Sequence, residues 1–108
     1  MRLAYLGLAF LLASPALAQD GDARAGRRLA GGRCAVCHGN DGIAVQPDAP
    51  NLAGQNPTYL AAQLRAFRDK LRVHEQMNLM AAALSEADIA NLAAWYAAIE
   101  VTATPPGR

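Results

Sequence analysis

Residues 34–38 read Cys-Ala-Val-Cys-His and place two thiols and one imidazole within five consecutive positions. Two cysteines separated by two residues can form thioether bonds to the two vinyl groups of one haem, and the histidine that follows can coordinate its iron. This spacing is typical of a c-type haem attachment site. We therefore predict one covalent haem, joined through Cys34 and Cys37, with His38 as an iron ligand.

Two other interpretations of the cysteine pair are a redox-active dithiol and part of a zinc site. A thioredoxin-type dithiol is expected beside a βαβ pattern, and the sequence has no such pattern. A zinc site would need Cys34, Cys37 and both histidines, His38 and His74, as its four ligands. The complete five-residue motif favours haem over both.

Residues 1–18 have the features of a secretory signal peptide. Arg2 precedes an apolar run from Leu3 to Ala13, and Ala16-Leu17-Ala18 matches a small-residue cleavage site. The run of eleven residues is too short to span a bilayer. We expect cleavage after Ala18, a periplasmic location and no stable membrane insertion afterwards; an uncleaved N-terminal anchor is the alternative.

The mature chain expected from this cleavage has 90 residues, the size of a single domain. It carries nine basic and nine acidic side chains, so its net charge is close to zero and indicates no binding of nucleic acid. A chain this short buries a smaller share of its surface than a larger one does, so extra stabilisation is expected. A covalently held, largely apolar group is therefore expected to form part of the core.

Apolar periodicity and capping residues predict an all-α fold with three main helices and no strand. The first helix is expected to begin after Asp22 and to end before Gly31-Gly32. The second covers residues 57–71, following Asn56-Pro57, and its apolar positions are Leu60, Leu64, Phe67 and Leu71. The third starts at a capping box formed by Ser85 and Asp88 and extends to about residue 100. Its apolar positions are Ile89, Leu92, Tyr96 and Ile99, which we expect to pack in the core.

The segments between and after these helices are predicted as loops. Residues 39–56 are rich in Gly, Asp, Asn and Pro, and we expect them to cover one face of the haem. Residues 72–84 carry no strong pattern apart from Met77 and Met80. Residues 102–108 contain Pro105-Pro106-Gly107 and should form a flexible tail.

Residues 21–99 resemble the class I cytochromes c, in particular small bacterial periplasmic ones whose domain also occurs in tandem in di-haem proteins. The resemblance rests on the haem motif, on Pro-Asn-Leu-Ala-Gly-Gln at residues 50–55, on the helix from Tyr59 to Phe67, and on Met77 ahead of residues 84–89. It implies a class I cytochrome c fold over residues 19–101, with long loops around one haem c.

The resemblance also implies how the haem is held. His38 and Met77 would be the two iron ligands, and the Pro50 carbonyl would accept a hydrogen bond from the second ring nitrogen of His38. Leu52 would pack on the haem, and Arg72 would approach a propionate group. The residue chemistry alone does not separate Met77 from Met80, and His74 is a third alternative.

Gly26, Leu92 and Trp95 match the family's crossing of the first and last helices, where a glycine admits an aromatic side chain. This match gives Trp95 a structural role, with a contact from its indole nitrogen to a propionate as the alternative.

The resemblance implies that the protein is a periplasmic electron carrier. It does not imply an enzyme, because an iron with two protein ligands has no open coordination position for a substrate. Its partners would be redox proteins, with a dehydrogenase as donor and an oxidase or reductase as acceptor. One alternative is a cytochrome subunit held permanently in a periplasmic dehydrogenase complex. Another is a haem peroxidase or gas sensor, in which Met77 leaves the iron.

Overall fold

The structure is a computed structural model, and it describes residues 20–107. The predicted signal peptide and its cleavage site lie outside the described residues. Five helices follow one another along the chain: α1 (Ala23–Arg33), α2 (Ala35–His38), α3 (Pro57–Arg68), α4 (Glu75–Ala81) and α5 (Glu86–Ala98). Residues 20–107 contain no strand, which confirms the all-α prediction.

Helices α1, α3 and α5 are the three predicted helices, and α2 and α4 were not predicted. Among the helices of residues 20–107, none combines the length and the hydrophobicity that a bilayer-spanning segment needs. Residues 102–107 follow α5 as an exposed segment without helix or strand.

Helix α1 begins where the sequence predicted. The Asp22 side chain accepts hydrogen bonds from the backbone N–H groups of Arg24 and Ala25, as an N-cap does. The end of the helix was predicted wrongly, because Gly31-Gly32 do not interrupt it. The N–H of Cys34 donates to the carbonyl of Ala30 at 2.8 Å, so helical hydrogen bonding continues past both glycines. Cys34 is thereby placed directly at the end of α1.

Helix α3 is three residues shorter than predicted. Asn56 caps it by accepting from the N–H of Tyr59 at 3.0 Å. Lys70 adopts a left-handed backbone conformation, with φ of 58°, and the N–H of Leu71 donates to the carbonyl of Ala66 at 2.8 Å. These features form a Schellman-type ending, which turns Leu71 out of the apolar stripe and leaves it 84% exposed.

Helices α1 and α5 cross in close contact, as the family resemblance implied. A Cβ atom on Gly26 would overlap the backbone carbonyl oxygen of Asn91 and would lie 2.9 Å from Cβ of Trp95. The Asn91 side chain accepts a hydrogen bond from the N–H of Asp22 at 2.8 Å. Arg27 lies over the Trp95 ring, 5.4 Å from its centroid. The carbonyl of Asn91, more than the Trp95 ring, therefore requires glycine at position 26.

The core is built mainly on α5. Its capping box is present, since the Ser85 hydroxyl accepts from the N–H of Asp88 and the Asp88 carboxylate accepts from the N–H of Ser85, both at 3.0 Å. Ile89 and Leu92 are the largest side chains that are fully buried. They pack with Leu60 and Phe67 of α3 in one buried cluster, which supports the candidate site.

Candidate functional site

A cavity of about 420 Å³ lies among α2, the loop at residues 48–55, α3, α4 and α5. Its wall contains every residue that the sequence predicted for the site: Cys34, Cys37, His38, Pro50, Leu52, Arg72 and Met77. These residues come from four separate parts of the chain, and the fold brings them together around one space.

The Cys-x-x-Cys-His segment forms a single helical turn at the cavity wall. The N–H of His38 donates to the carbonyl of Cys34 at 2.9 Å, and the carbonyl of Cys37 accepts from Val45 at 3.0 Å. Both cysteines carry free thiols. Burial raises the pKa of Cys34, and the neighbouring Tyr96 hydroxyl and the charge of Arg33 offset part of that effect. Both cysteines line the same cavity, and neither is in a disulfide.

His38 is buried, with 8% of its surface exposed. Its Nδ1 lies 2.8 Å from the carbonyl oxygen of Pro50, as predicted. A carbonyl oxygen only accepts hydrogen bonds, so Nδ1 carries the hydrogen and Nε2 keeps its lone pair. The loop holds Pro50 in place, because the N–H of Leu52 donates to Gly42 at 2.8 Å and the Asn51 side chain accepts from the N–H of Ala44 at 2.7 Å. This arrangement suits a metal ligand with a fixed ring orientation.

Met77 and Met80 both lie on α4, three positions apart, and both line the cavity. Residues three apart in a helix share a face, so the structure leaves both sulfurs as candidates for the second iron ligand.

His74 has a different position, as the N-cap of α4. Its Nδ1 accepts a hydrogen bond from the N–H of Met77 at 3.2 Å, which puts the ring hydrogen on Nε2. Neither nitrogen then offers a free lone pair, and this disfavours His74 as a ligand.

Asn78 holds α4 against the end of α3, a role that the sequence pattern did not indicate. Its Nδ2 donates to the carbonyls of Phe67 and Arg72, both at 2.8 Å, and its Oδ1 accepts from the N–H of His74 at 2.8 Å. One side chain thus makes three hydrogen bonds to backbone groups in the segment before the helix. The position of Met77 depends on these bonds.

Arg72 lies at the rim of the cavity. Its guanidinium packs on the Phe67 ring, 4.6 Å from the centroid, and donates to the Gln63 side chain at 2.7 Å. Among the described residues it forms no ion pair. Its charge is therefore available to an anionic group at the rim.

The two aromatic residues at the end of α5 have buried polar atoms. Trp95 does not line the cavity, and its indole N–H has no hydrogen-bond partner among residues 20–107. Tyr96 does line the cavity, and its hydroxyl is likewise buried without a partner in that range. The apolar spacing of α5 predicted Tyr96 as core and gave no indication of its position at the site.

The donor set suits a covalent haem better than a zinc ion. Within residues 20–107, no three Cys, His, Asp or Glu side chains come together to hold a metal ion. The cavity instead combines two thiols, one oriented imidazole, two thioethers and a mainly apolar wall. Those are the groups that thioether attachment and His/Met ligation of a haem require.

Comparison with known proteins agrees with the assignment of a haem site. A sequence profile of the cytochrome c family matches residues 23–97. Cytochrome c-554(548) from Halomonas halodenitrificans is 45% identical over 83 residues, which cover 74% of this chain and 99% of that protein. Cytochrome c4 from Thiocapsa roseopersicina is 44% identical over 79 residues, or 73% of this chain. This chain spans 41% of the length of that cytochrome c4.

Comparison with solved structures finds relatives of the same kind. The structure of cytochrome c4 from Acidithiobacillus ferrooxidans superposes with a TM-score of 0.67 at 29% identity, and the match covers 75% of this chain and 51% of that one. A thiosulfate dehydrogenase electron acceptor from Stutzerimonas stutzeri is 39% identical over 67 residues, which cover 59% of this chain and 31% of that protein.

Proposed function

This chain belongs to the cytochrome c family, and we propose that it is a periplasmic electron-transfer protein whose haem c is held by Cys34, Cys37, His38 and Met77. The observation that carries the proposal is the meeting of these four side chains in the wall of one cavity. When bound, haem c supplies a one-electron couple between ferrous and ferric iron. All other parts of the function depend on the side chains that hold and surround the haem.

His38 and Met77 have complementary tasks in this proposal. The Pro50 carbonyl fixes Nδ1–H of His38, so Nε2 is the atom that coordinates. The thioether of Met77 is a soft ligand, and a His/Met pair raises the reduction potential relative to two imidazoles. Leu52, Leu64 and Phe67 contribute apolar side chains to the cavity wall, and apolar surroundings also favour the less charged, reduced iron.

A carrier and an enzyme differ in whether an external ligand can reach the iron. With His38 and Met77 both bound, no coordination position is free for peroxide or a diatomic gas. We expect the ferrous spectrum to stay unchanged when carbon monoxide is added at neutral pH. Met77→Ala is the matched positive control, since the opened position should bind carbon monoxide. A carbon monoxide complex of the unmodified protein would favour a sensor or peroxidase and contradict the carrier function.

Partners are proposed from the same family. A dehydrogenase would donate the electron and an oxidase or reductase would accept it. Val36, between the two cysteines, is 72% exposed, and Arg33 lies at the cavity wall beside Cys34. This surface is where we place the transient contact with a redox partner, on a patch at the small end of protein interfaces.

Membership in a dehydrogenase complex is the second candidate, and the relative named as a thiosulfate dehydrogenase electron acceptor favours it. A permanent subunit would purify with its dehydrogenase and elute at the size of the complex, whereas a free carrier would elute as a single small domain. Size-exclusion chromatography of a periplasmic extract, followed by haem staining, separates these two outcomes.

A further inference from the structure

The guanidinium of Arg72 has a fixed position at the rim of the cavity. Its Nη1 donates a hydrogen bond to Oε1 of Gln63 at 2.7 Å, and its Cζ lies 4.6 Å from the centroid of the Phe67 ring. An exposed arginine without such contacts samples many rotamers. Gln63 and Phe67 both belong to α3, and both line the cavity. They hold the guanidinium against the face of α3 that forms the cavity wall.

The backbone of Arg72 is fixed as well. Its N–H donates to the carbonyl of Ala66 at 3.1 Å, and its carbonyl accepts from Nδ2 of Asn78 at 2.8 Å. The first bond ties the residue to α3, and the second ties it to α4. Both ends of the Arg72 side chain are therefore held in place, so a ligand that binds the guanidinium has little of it left to order.

The protein does not neutralise the charge of Arg72. Within residues 20–107, the ion pairs join Arg65 and Arg68 to Asp69 and Glu86. Asp48, the acidic residue in the cavity wall, makes no ion pair with Arg72. The partner of Arg72 is instead an uncharged amide. An amide oxygen fixes the guanidinium and leaves its positive charge in place, whereas a carboxylate there would cancel that charge.

The orientation of the Gln63 amide follows from its partner. A guanidinium has donors and no acceptor, so the Gln63 atom that faces Arg72 is the oxygen. The amide nitrogen of Gln63, with its two N–H donors, is then the free polar atom of that side chain. The pair therefore offers only donors to a further ligand. A carboxylate only accepts hydrogen bonds when it is ionised, and charge-assisted bonds to a guanidinium are among the strongest it can form.

We propose that Gln63 is a positioning residue for Arg72, and that Arg72, held in this way, binds a propionate carboxylate of the haem and raises its reduction potential. The inference rests on the proposed function, since it needs haem in the cavity. A positive charge near the iron disfavours the ferric state, which carries one more positive charge than the ferrous state. Neutralising a carboxylate acts in the same direction, because its negative charge favours ferric iron.

A potentiometric titration tests the contribution of Arg72. Arg72→Gln removes the positive charge and is expected to lower the reduction potential. Arg65→Gln is the matched control, because Arg65 is an exposed arginine of α3 that pairs with Glu86 at 2.9 Å and does not line the cavity. Its potential should equal that of the unmodified protein. An unchanged potential in Arg72→Gln, or an equal fall in both variants, would overturn the proposal.

A double-mutant cycle tests whether Gln63 acts through Arg72. Gln63→Leu removes the acceptor and keeps a good helix former. It should lower the potential by less than Arg72→Gln does, because the charge remains and is no longer held at the rim. In the Arg72→Gln background, Gln63→Leu should cause no further shift. A shift of the same size in both backgrounds, or a lower melting temperature of Gln63→Leu with an unchanged potential, would overturn the positioning role.

Two results separate this inference from the proposed function. If the unmodified protein carries no covalent haem, the proposed function fails. If it carries haem and Arg72→Gln keeps the potential of the unmodified protein, only the roles of Arg72 and Gln63 fail. Should Gln63→Leu not accumulate, Gln63→Ala takes its place in the same cycle, with the same expected and contradicting results.

Discussion

Replacing Met77 by alanine is expected to abolish the weak far-red sulfur-to-iron absorption of the ferric protein and to lower its reduction potential. The loss of a soft thioether removes the ligand that favours ferrous iron. We expect a fall on the order of a few tenths of a volt, within the roughly 0.8 V over which axial ligands tune haem proteins. Optical spectroscopy and a potentiometric titration of the purified protein measure both effects.

Met80→Ala is the matched control, because it removes a second methionine from the same face of α4. Alanine is the best helix former, so neither change should unfold the helix that Asn78 and His74 hold in place. Met80→Ala should keep the far-red band and a potential close to that of the unmodified protein. The reverse pattern would show that Met80 is the ligand and that Met77 only packs beside it.

Gly26→Ala is expected to destabilise the protein strongly. Its Cβ atom would overlap the carbonyl of Asn91, a backbone group within α5 that cannot rotate aside. We expect a loss of at least about 3 kcal/mol, at the upper end of overpacking effects. For a domain of this size, that loss corresponds to a fall in melting temperature on the order of 10–20 °C. Thermal unfolding of the haem-bound protein, followed by circular dichroism, measures it.

Gly31→Ala is the control for this experiment, since it makes the same chemical change five residues later in α1. A Cβ atom on Gly31 would meet nothing within 4 Å. Alanine should therefore stabilise the helix by up to about 1 kcal/mol through its higher helix propensity. If both variants unfold at the same temperature, α1 and α5 do not cross at Gly26.

Local sequence signals were enough for the parts of the fold that rest on capping and on apolar spacing. Asp22, Asn56 and the Ser85–Asp88 box all cap the helices that they predicted. The haem motif and the family resemblance also predicted the hydrogen bond between His38 and the Pro50 carbonyl. These signals involve residues within a few positions of each other, or a motif with a single well-known use.

Helix α4 could not be predicted in the same way. It is capped by a histidine, which is not among the preferred N-cap residues, and Asn78 ties it to the carbonyls of Phe67 and Arg72. Leu79 on this helix is largely exposed, so no apolar stripe marks it in the sequence. The early end of α3 depends on the left-handed backbone conformation of Lys70. Lysine does not signal a left-handed conformation, so the sequence pattern did not indicate this ending.

The position of Tyr96 shows a different limit. An aromatic residue at helical spacing predicts burial, and Tyr96 is buried. Spacing does not say which group a buried hydroxyl faces, because that depends on where the end of α1 lies relative to α5. Only the assembled fold places Tyr96 in the wall of the cavity.

The central claim is that haem c is bound covalently through Cys34 and Cys37 in a chain that begins at Gln19. Intact mass spectrometry of the protein expressed with its leader, under denaturing conditions and after treatment with a thiol reagent, tests this claim most directly. We predict the mass of residues 19–108 plus one haem, with neither cysteine modified by the reagent. A chain that loses its haem on denaturation, or that carries two reactive thiols or a zinc ion instead, would contradict the claim.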